Sequence, residues 1–463
     1  MRIAVVREIE AGEPRVAATP DTVKKMKALG ADVAIESGAV VKSGVLDADY
    51  EAMGATIVAS AADAVKDADV VLKVRRPTEA ELAAYKSGAL VIAIMDPYGN
   101  EAALAALAKA GVTAFAMELM PRITRAQGMD VLSSQANLAG YRAVIDAAGE
   151  FGRAFPMMMT AAGTVPATRV FVMGVGVAGL QAIATARRLG AIVTATDVRP
   201  ATKEQVESLG AKFLAVEDEE FKNAQTAGGY AKEMSKEYQA KQAALVAEHI
   251  KKQDVVITTA LIPGRPAPKL ISADMVKSMK AGSVIVDLAV ERGGNVEGAV
   301  AGTVADVNGV KIVGYLNVPG RLAASASSLY AKNLYNFLDI LVDKKTKALA
   351  VNWDDDIVKA TALTKDGAVV HPNFQPKTAA SAPQPKPAPE PASAPPPPPV
   401  AMAAPAPAPV AAPKPAPTPE PTAQPVPPIE TVAPPVPAPE PTASPTPTSE
   451  PTVPPGPKTE PTA

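Results

Sequence analysis

The sequence predicts an α/β protein with two tandem doubly wound, Rossmann-like domains joined by long helices and followed by a disordered Pro/Ala-rich tail. Short apolar runs that alternate with helical patterns predict the folded part, and one such run leads into a Gly-x-Gly-x-x-Gly turn. Composition predicts the tail, because 35 of the 47 prolines lie in residues 372–463. That segment has too little apolar bulk to offset the entropy of ordering, so we interpret it as a tether.

The first Rossmann-like domain is predicted from residues 1–132. Its apolar runs are short and bounded by turn residues or helical patterns, which is typical of a parallel sheet covered by helices. The predicted helices cover residues 19–29, 78–85 and 100–110. The predicted strands are residues 2–6, 31–36, 55–58, 70–74, 89–94 and 112–116.

The second domain, predicted over residues 133–312, repeats this alternation and begins with the glycine-rich turn. Helical patterns at 134–151 and 325–342 join the two domains, so residues 313–371 are predicted to pack back on the first one. The predicted strands are residues 170–173, 191–196, 211–216, 255–259, 283–288 and 311–315. The polar segment 218–252 interrupts this pattern. It is either a solvated helical hairpin or a mobile lid, with Gly229 as hinge and Tyr230 laid over a bound nucleotide.

The glycine-rich turn predicts a dinucleotide site. Gly174 permits the tight turn, Gly176 lets backbone N–H groups approach a pyrophosphate, and Gly179 lets helix and strand pack closely. Asp197 follows Gly179 by 18 residues, where a carboxylate can accept hydrogen bonds from a ribose 2′-OH. The carboxylate favours NAD(H) over NADP(H), although Arg199 is a nearby cation. A tight turn in another kind of α/β sheet is the alternative.

Charge and composition exclude several classes of site. A net charge of −2 provides no basic face for nucleic acid, and the lack of cysteine excludes disulfides, iron–sulfur clusters and thiolate zinc sites. We predict no metal site. The N-terminus carries charges within its first eight residues, and the sequence shows no run typical of a transmembrane helix.

A general acid or base is hard to find. Dehydrogenases of alcohols and amino acids move a proton with the hydride, usually through His or Lys. We expect both histidines, His249 and His371, to be solvated surface residues. The acceptor is therefore predicted to be another hydride carrier, whose reaction needs positioning and water exclusion. Lys73, at the end of a buried strand, leaves an amino-acid dehydrogenase open as the alternative.

Several segments resemble the NAD(H)-binding component of proton-translocating transhydrogenase. They are PRITRAQGMDVLSSQ at 121–135, NLAGYRAVID at 137–146, FPMMMTAAGTV at 155–165, DVR at 197–199, AGGYAKEM at 227–234 and TTALIPG at 258–264. The resemblance covers about residues 1–371. Alanine dehydrogenase is a relative of that family and shares RVAATP at 15–20 and the strand of Lys73. Its catalytic histidine, expected after Ile94, is replaced here by Met95, Asp96 and Pro97.

The resemblance implies NADH binding and hydride transfer to NADP⁺ on a partner domain, coupled to proton translocation. It implies that Gln127, Asp130 and Ser133 hold the nicotinamide for transfer and act as the catalytic set. The implied NAD(H)-binding residues are Arg122, Ile123, Thr124, Gln127, Asp130, Ser133, Gly174, Val175, Gly176, Val177, Gly179, Asp197, Val198, Arg199, Gly229, Tyr230, Gln242 and Leu261.

The resemblance also implies partners and a location. The chain is expected to be a homodimer, peripheral on the cytoplasmic face of the inner membrane, with the NADP(H)-binding domain and the membrane-spanning subunits on other polypeptides. Two rival functions remain open. One is an alanine dehydrogenase-like enzyme, and the other is a non-catalytic NAD-binding scaffold whose proline tail recruits partners with aromatic grooves.

Overall fold

The structure is a computed structural model that describes residues 1–39, 41–224 and 234–375. These residues belong to one compact unit, Met1–Ala382. The predicted lid residues Gly229 and Tyr230 lie outside the described residues, as does the predicted tail from residue 376 onward.

The first described sheet is parallel throughout and its strands are mostly apolar, because helices cover both faces. Its strands are β1 (Arg2–Val5), β2 (Asp32–Glu36), β3 (Thr56–Val58), β4 (Val70–Arg75), β5 (Leu90–Ile94) and β6 (Thr113–Ala116). Their spatial order is β3-β2-β1-β4-β5-β6, a doubly wound arrangement. The helices are α1 (Pro20–Ala28), α2 (Asp47–Glu51), α3 (Ala61–Val65), α4 (Glu79–Leu82) and α5 (Glu101–Lys109).

A long helix, α6 (Val131–Glu150), leaves the first sheet and is followed by a short hairpin, β7 (Met158–Thr160) and β8 (Gly163–Val165). Asp130 begins the helix, because its carboxylate accepts a hydrogen bond from the Ser133 N–H at 2.9 Å. The hairpin was not predicted, and it exposes Met159 at 79%.

The second described sheet has the same doubly wound core. Its strands are β9 (Arg169–Met173), β10 (Ile192–Thr196), β11 (Lys212–Phe213), β12 (Val255–Thr258), β13 (Val284–Asp287), β14 (Val304–Val307) and β15 (Val310–Val313). Their order is β11-β10-β9-β12-β13-β15-β14. Of the strands described in this sheet, only β14 runs antiparallel to its neighbour. The helices are α7 (Val177–Arg188), α8 (Thr202–Ser208), α9 (Glu219–Lys222), α10 (Lys236–Ile250) and α11 (Ala273–Ser278).

Two strands of this sheet differ from the prediction. The predicted strand 211–216 pairs only at Lys212–Phe213, and beyond it the Val216 N–H donates to the side chain of Gln242 at 2.9 Å. Strand β14 was missed although a signal was available. Asn308 and Gly309 both have positive φ, 54° and 77°, and Asn-Gly is the preferred pair for a two-residue hairpin turn.

The chain then returns to the first sheet through α12 (Ala323–Ile340), α13 (Asp356–Thr361), β16 (Thr364–Lys365) and β17 (Ala368–Val369). Tyr330, Leu334 and Phe337 of α12 share one hydrophobic core with Ile3 and Leu72 of the first sheet. The two parallel sheets confirm the predicted fold class. The domain boundaries at residues 132, 312 and 371 stay predictions.

Glycine sets the closest helix contact in this arrangement. Helix α6 crosses the start of α7 at Gly140, where a Cβ atom would lie 2.0 Å from the carbonyl oxygen of Ala178. No side chain fits in that space, so only glycine permits this crossing. Around it, Ala143 and Ala147 of α6 share a core with Ala182 and Ala186 of α7.

We predict that Gly140→Ala lowers the free energy of unfolding by about 1–3 kcal/mol or more, because the added methyl group forces the two helices apart. Gly149→Ala is the matched control on the same helix, since nothing described lies within 4 Å of its Cβ position. That change should stabilise the chain by about 0.4–1 kcal/mol. Urea unfolding followed by circular dichroism measures both, and equal midpoints would contradict the close crossing.

Candidate functional site

The glycine-rich turn joins β9 to α7. Gly174 has φ +97° and its carbonyl oxygen accepts a hydrogen bond from the Thr259 hydroxyl at 3.0 Å. A Cβ on Gly179 would lie 1.9 Å from that same carbonyl oxygen, so helix and turn meet backbone to backbone. Gly176 begins α7, and no described atom lies within 4 Å of its Cβ position. The space beside Gly176 is therefore open at the N-terminus of α7, and the free N–H groups of a helix N-terminus can bind phosphate.

Asp197 follows β10 and ties the turn to the next strand. One carboxylate oxygen accepts from the Val175 N–H at 2.8 Å, and the other accepts from the Arg199 N–H at 2.9 Å. The Arg199 guanidinium donates to both oxygens, at 2.8 and 2.9 Å, and the hydrogen bond to Asp197 raises the pKa of Arg199. Arg199 is thus paired with Asp197 and is not positioned to receive a 2′-phosphate.

The remaining predicted NAD(H)-binding residues near the second sheet separate into two groups, one held within the protein and one exposed. Gln242 lies across the end of β10, where its amide donates to Thr196 Oγ1 at 3.0 Å and accepts from Val216 N at 2.9 Å. Val175 is buried in the core. Val177, Val198 and Leu261 are exposed at 39%, 44% and 53%, which leaves apolar side chains available to a ligand.

The predicted nicotinamide loop is a 3₁₀ segment, Thr124–Met129, between the first sheet and α6. Buried Ala126 and Met129 anchor it, and the Gly128 carbonyl oxygen accepts from the side chains of Asn333 and Asn336 on α12 at 2.9 and 2.8 Å. Four of the predicted binding residues are exposed here. Thr124 and Gln127 lie in the 3₁₀ segment, and Arg122 and Ile123 directly precede it.

Asp130 and Ser133 form a hydrogen-bonded pair at the start of α6. The Ser133 hydroxyl donates to Asp130 at 2.6 Å, in addition to the backbone bond that begins the helix. Gly140, which touches α7, follows Ser133 by seven residues, or about 10 Å along the helix axis. One rigid helix therefore connects the loop to the glycine-rich turn. Gly229 and Tyr230 lie outside the described residues, so their place in the site stays a prediction.

Lys73 is fully buried and ion-paired. Its ammonium lies 2.5 Å from Glu81 and 3.6 Å from Glu8, beside a cavity of about 580 Å³. Burial raises the pKa of Glu8 to about 7 despite the neighbouring ammonium. The Lys73 ammonium donates a hydrogen bond to Glu81 and is ion-paired with Glu8, and a charged ammonium has no lone pair with which to accept a proton as a general base would.

The prediction that both histidines are solvated surface residues is wrong. His371 is buried, and burial lowers its pKa. His249 is half-buried on α10, where its Nε2 lies 2.8 Å from Thr194 Oγ1 and its ring meets Phe171 edge-on at 4.8 Å. Burial also lowers the pKa of His249. Both side chains pack against other residues because the helix and the C-terminal segment fold onto the sheets.

Sequence reasoning missed two residues that hold the turn. Besides Thr259, buried Asn295 accepts from the Ala260 N–H at 3.0 Å and donates to the Ala260 carbonyl oxygen at 2.9 Å. The signals available for Thr259 were its place at the end of a predicted strand and its presence in the TTALIPG segment. Among the described residues, no cluster of metal-ligating side chains occurs. Nor does the described part contain a helix long and apolar enough to span a membrane.

Two family descriptions and several solved structures match this chain. The description "Alanine dehydrogenase/PNT, N-terminal domain" matches residues 4–139, and "Alanine dehydrogenase/PNT, C-terminal domain" matches residues 143–372. A transhydrogenase structure from Sinorhizobium meliloti is 65% identical, with a TM-score of 0.74, and covers 80% of this chain and 100% of that one. An L-alanine dehydrogenase structure is 26% identical, with a TM-score of 0.68, over 81% and 98%.

Relatives compared by sequence agree with the structures. The first part of NAD(P) transhydrogenase subunit alpha from Rhodospirillum rubrum is 58% identical over 377 residues, covering 80% of this chain and 98% of that protein. Alanine dehydrogenase of Halomonas elongata is 32% identical over 381 residues, covering 80% and 95%. The two family matches together span most of the chain, and the chain therefore belongs to the alanine dehydrogenase/PNT family.

Proposed function

We propose that this protein is the NAD(H)-binding alpha subunit of an NAD(P) transhydrogenase, an oxidoreductase that passes hydride from NADH to NADP⁺. The observation that carries the proposal is its 58% identity to the Rhodospirillum rubrum subunit, over nearly all of that subunit. Identity to the alanine dehydrogenase of Halomonas elongata is much lower, at 32%. The glycine-rich turn and Asp197 provide the nucleotide chemistry that this function requires.

The residues of the turn fit NADH. The open N-terminus of α7 at Gly176 suits a pyrophosphate, and the Asp197 carboxylate suits a ribose with a free 2′-OH. When bound, NADH supplies the hydride. The protein's own task is to hold the ring in place and to exclude water, because a transfer between two nicotinamides needs no acid or base. We assign ring positioning to Gln127, Asp130 and Ser133.

Lys73 argues against the alanine dehydrogenase alternative. In an amino-acid dehydrogenase it would handle the substrate proton, but here Glu8 and Glu81 occupy its ammonium group. Met95 stands where that enzyme's histidine is expected, and it is fully buried. Pyruvate- and ammonia-dependent oxidation of NADH by the purified protein would support the alternative. The scaffold alternative predicts NADH binding without any hydride transfer.

We also propose the finer features of the assembly. They are a homodimer, an NADP(H)-binding partner domain and membrane-spanning subunits on other polypeptides, a place on the cytoplasmic face of the inner membrane, and coupling to proton translocation. Two observations support the partner subunits and the homodimer. The Rhodospirillum rubrum relative is named as one portion of an alpha subunit, and the β7–β8 hairpin exposes Met157, Met158 and Met159 for contact with a second copy. Sedimentation of Met159→Lys against wild type tests the dimer.

The experiment that tests the function mixes the purified full chain with an NADP(H)-binding transhydrogenase component. The mixture is given NADH deuterated at the transferred C4 position, and mass spectrometry of the separated nucleotides then follows deuteride transfer to NADP⁺. Transfer that needs both proteins supports the proposal, whereas binding of NADH without transfer contradicts it.

Nucleotide choice should depend on Asp197. Wild type should bind NADH much more tightly than NADPH, because a 2′-phosphate beside this carboxylate is repelled. Asp197→Ala should weaken NADH binding about tenfold and narrow the preference, since the change removes a charged acceptor and frees Arg199. Asp274→Ala, which changes an exposed aspartate on α11, is the matched control. Fluorescence titration measures both affinities, and equal wild-type affinities would contradict the assignment.

Gln127 and Asp130 should affect transfer more than binding. Displacing a reacting ring by about an ångström can cost two orders of magnitude in rate, whereas the pyrophosphate turn and Asp197 supply most of the affinity. Asp130→Asn is preferred to Asp130→Ala, because asparagine still caps α6 while alanine would cost about 0.5–2 kcal/mol of stability. Gln127→Ala and Asp130→Asn should each slow transfer far more than they weaken NADH binding. A proportional loss of both would mean that these residues only hold the nucleotide.

A further inference from the structure

Asp96 has a strained backbone that partly buried groups hold in place. Its φ is +45°, in the left-handed region that non-glycine residues rarely adopt. The partly buried Glu118 carboxylate accepts from the N–H groups of Met95 and Asp96, and Arg76 donates to both carbonyl oxygens. Asn100 adds a bond to the Asp96 carbonyl oxygen at 2.8 Å. Strain that its surroundings maintain so thoroughly points to a function for the residue.

The strained turn directs two side chains onto loops of the second sheet. The Asp96 carboxylate pairs with the Arg292 guanidinium at 2.6 Å, and Arg292 ends the turn that follows β13. The Tyr98 ring lies against Gly264 in the loop after β12. There a Cβ would lie 2.6 Å from the ring, so only glycine admits this contact. A segment of three residues thus holds two neighbouring loops at once.

One of these loops belongs to the proposed nucleotide site. It begins at Thr259, whose hydroxyl holds the Gly174 carbonyl oxygen, and it contains Leu261, a predicted NAD(H)-binding residue. The position of the Gly264 end therefore affects both the glycine-rich turn and the exposed Leu261 side chain.

The contacts of Asp96 and Tyr98 differ in strength and in what supports them. The Asp96 and Arg292 side chains are 41% and 52% exposed, so solvent screens their ion pair and keeps it weak. Tyr98 is supported from behind by Phe374, edge-on at 5.0 Å, and Phe374 in turn packs on buried His371 at 4.9 Å. The end of the described chain thus supports a contact between elements of the two sheets.

We propose that Asp96 and Tyr98 are positioning residues that hold the loop of residues 259–265 in its nucleotide-binding placement. The proposal rests on the proposed function. Neither residue is assigned to ligand contact. They act through Gly264 and Arg292, and losing them should raise the Kd for NADH while the transfer rate at saturating NADH is kept.

Four variants test this in the full chain. Tyr98→Ala should raise the Kd for NADH about threefold to tenfold, and Tyr98→Phe, which keeps the ring, should restore it. Asp96→Asn should raise it by at most about fivefold, because asparagine tolerates the left-handed backbone and only the charge is lost. Asp21→Asn, which removes an exposed ion pair within α1, is the matched control and should change nothing.

A double-mutant cycle distinguishes a specific contact between Gly264 and Tyr98 from a general loss of stability. Gly264→Ala alone should weaken NADH binding because its methyl group meets the Tyr98 ring, and adding Tyr98→Ala should recover some of that loss. Hydrogen exchange at residues 259–265 should rise in Tyr98→Ala without nucleotide. Additive effects in the cycle, or wild-type affinity and exchange in Tyr98→Ala, would overturn the proposal. An inactive wild-type protein would instead contradict the proposed function.

Discussion

The site depends on backbone contacts that only glycine allows. Gly140 lets α6 lie directly on the first turn of α7, and Gly179 lets α7 lie directly on the carbonyl group of Gly174. Helix α6 begins at Asp130, so these two contacts place the loop before that helix relative to the glycine-rich turn. Backbone in contact with backbone leaves no flexible side chain between the parts, which makes their relative position rigid.

Buried cations near the first sheet are paired with carboxylates. Around Lys73 and Arg15, carboxylates neutralise the cations internally, through Glu8, Glu81 and Glu13. Burial raises the pKa of Glu13, but the hydrogen bond and charge of Arg15, with the charge of Arg75, outweigh it and lower that pKa to about 2. Each of these buried cations therefore has a carboxylate partner inside the protein. The pairs identify no reaction by themselves, and the proposed function rests on the identity to the transhydrogenase subunit and on the dinucleotide turn.

The errors of prediction have separate physical causes. Residues 211–216 have the apolar pattern of a strand, but Gln242 takes the backbone N–H of Val216 from the ladder. His249 lies among charged residues in the sequence, yet it faces Phe171 because the helix that carries it packs on the sheet. Strand β14, by contrast, could have been predicted, because the Asn308-Gly309 pair is a local signal for a hairpin turn.

The fold class, most strands of both sheets, the glycine-rich turn and the carboxylate that follows it could be predicted from the amino-acid sequence alone. These features follow from local periodicity and spacing, which a chain carries wherever it folds. Three other features became visible only in the folded chain. The Asp197 carboxylate accepts hydrogen bonds from Val175 and Arg199, Lys73 lies between two carboxylates, and Asp96 and Tyr98 contact loops of the second sheet. Those contacts join residues far apart in the chain or depend on how the backbone turns, and such geometry leaves no periodic trace in the sequence.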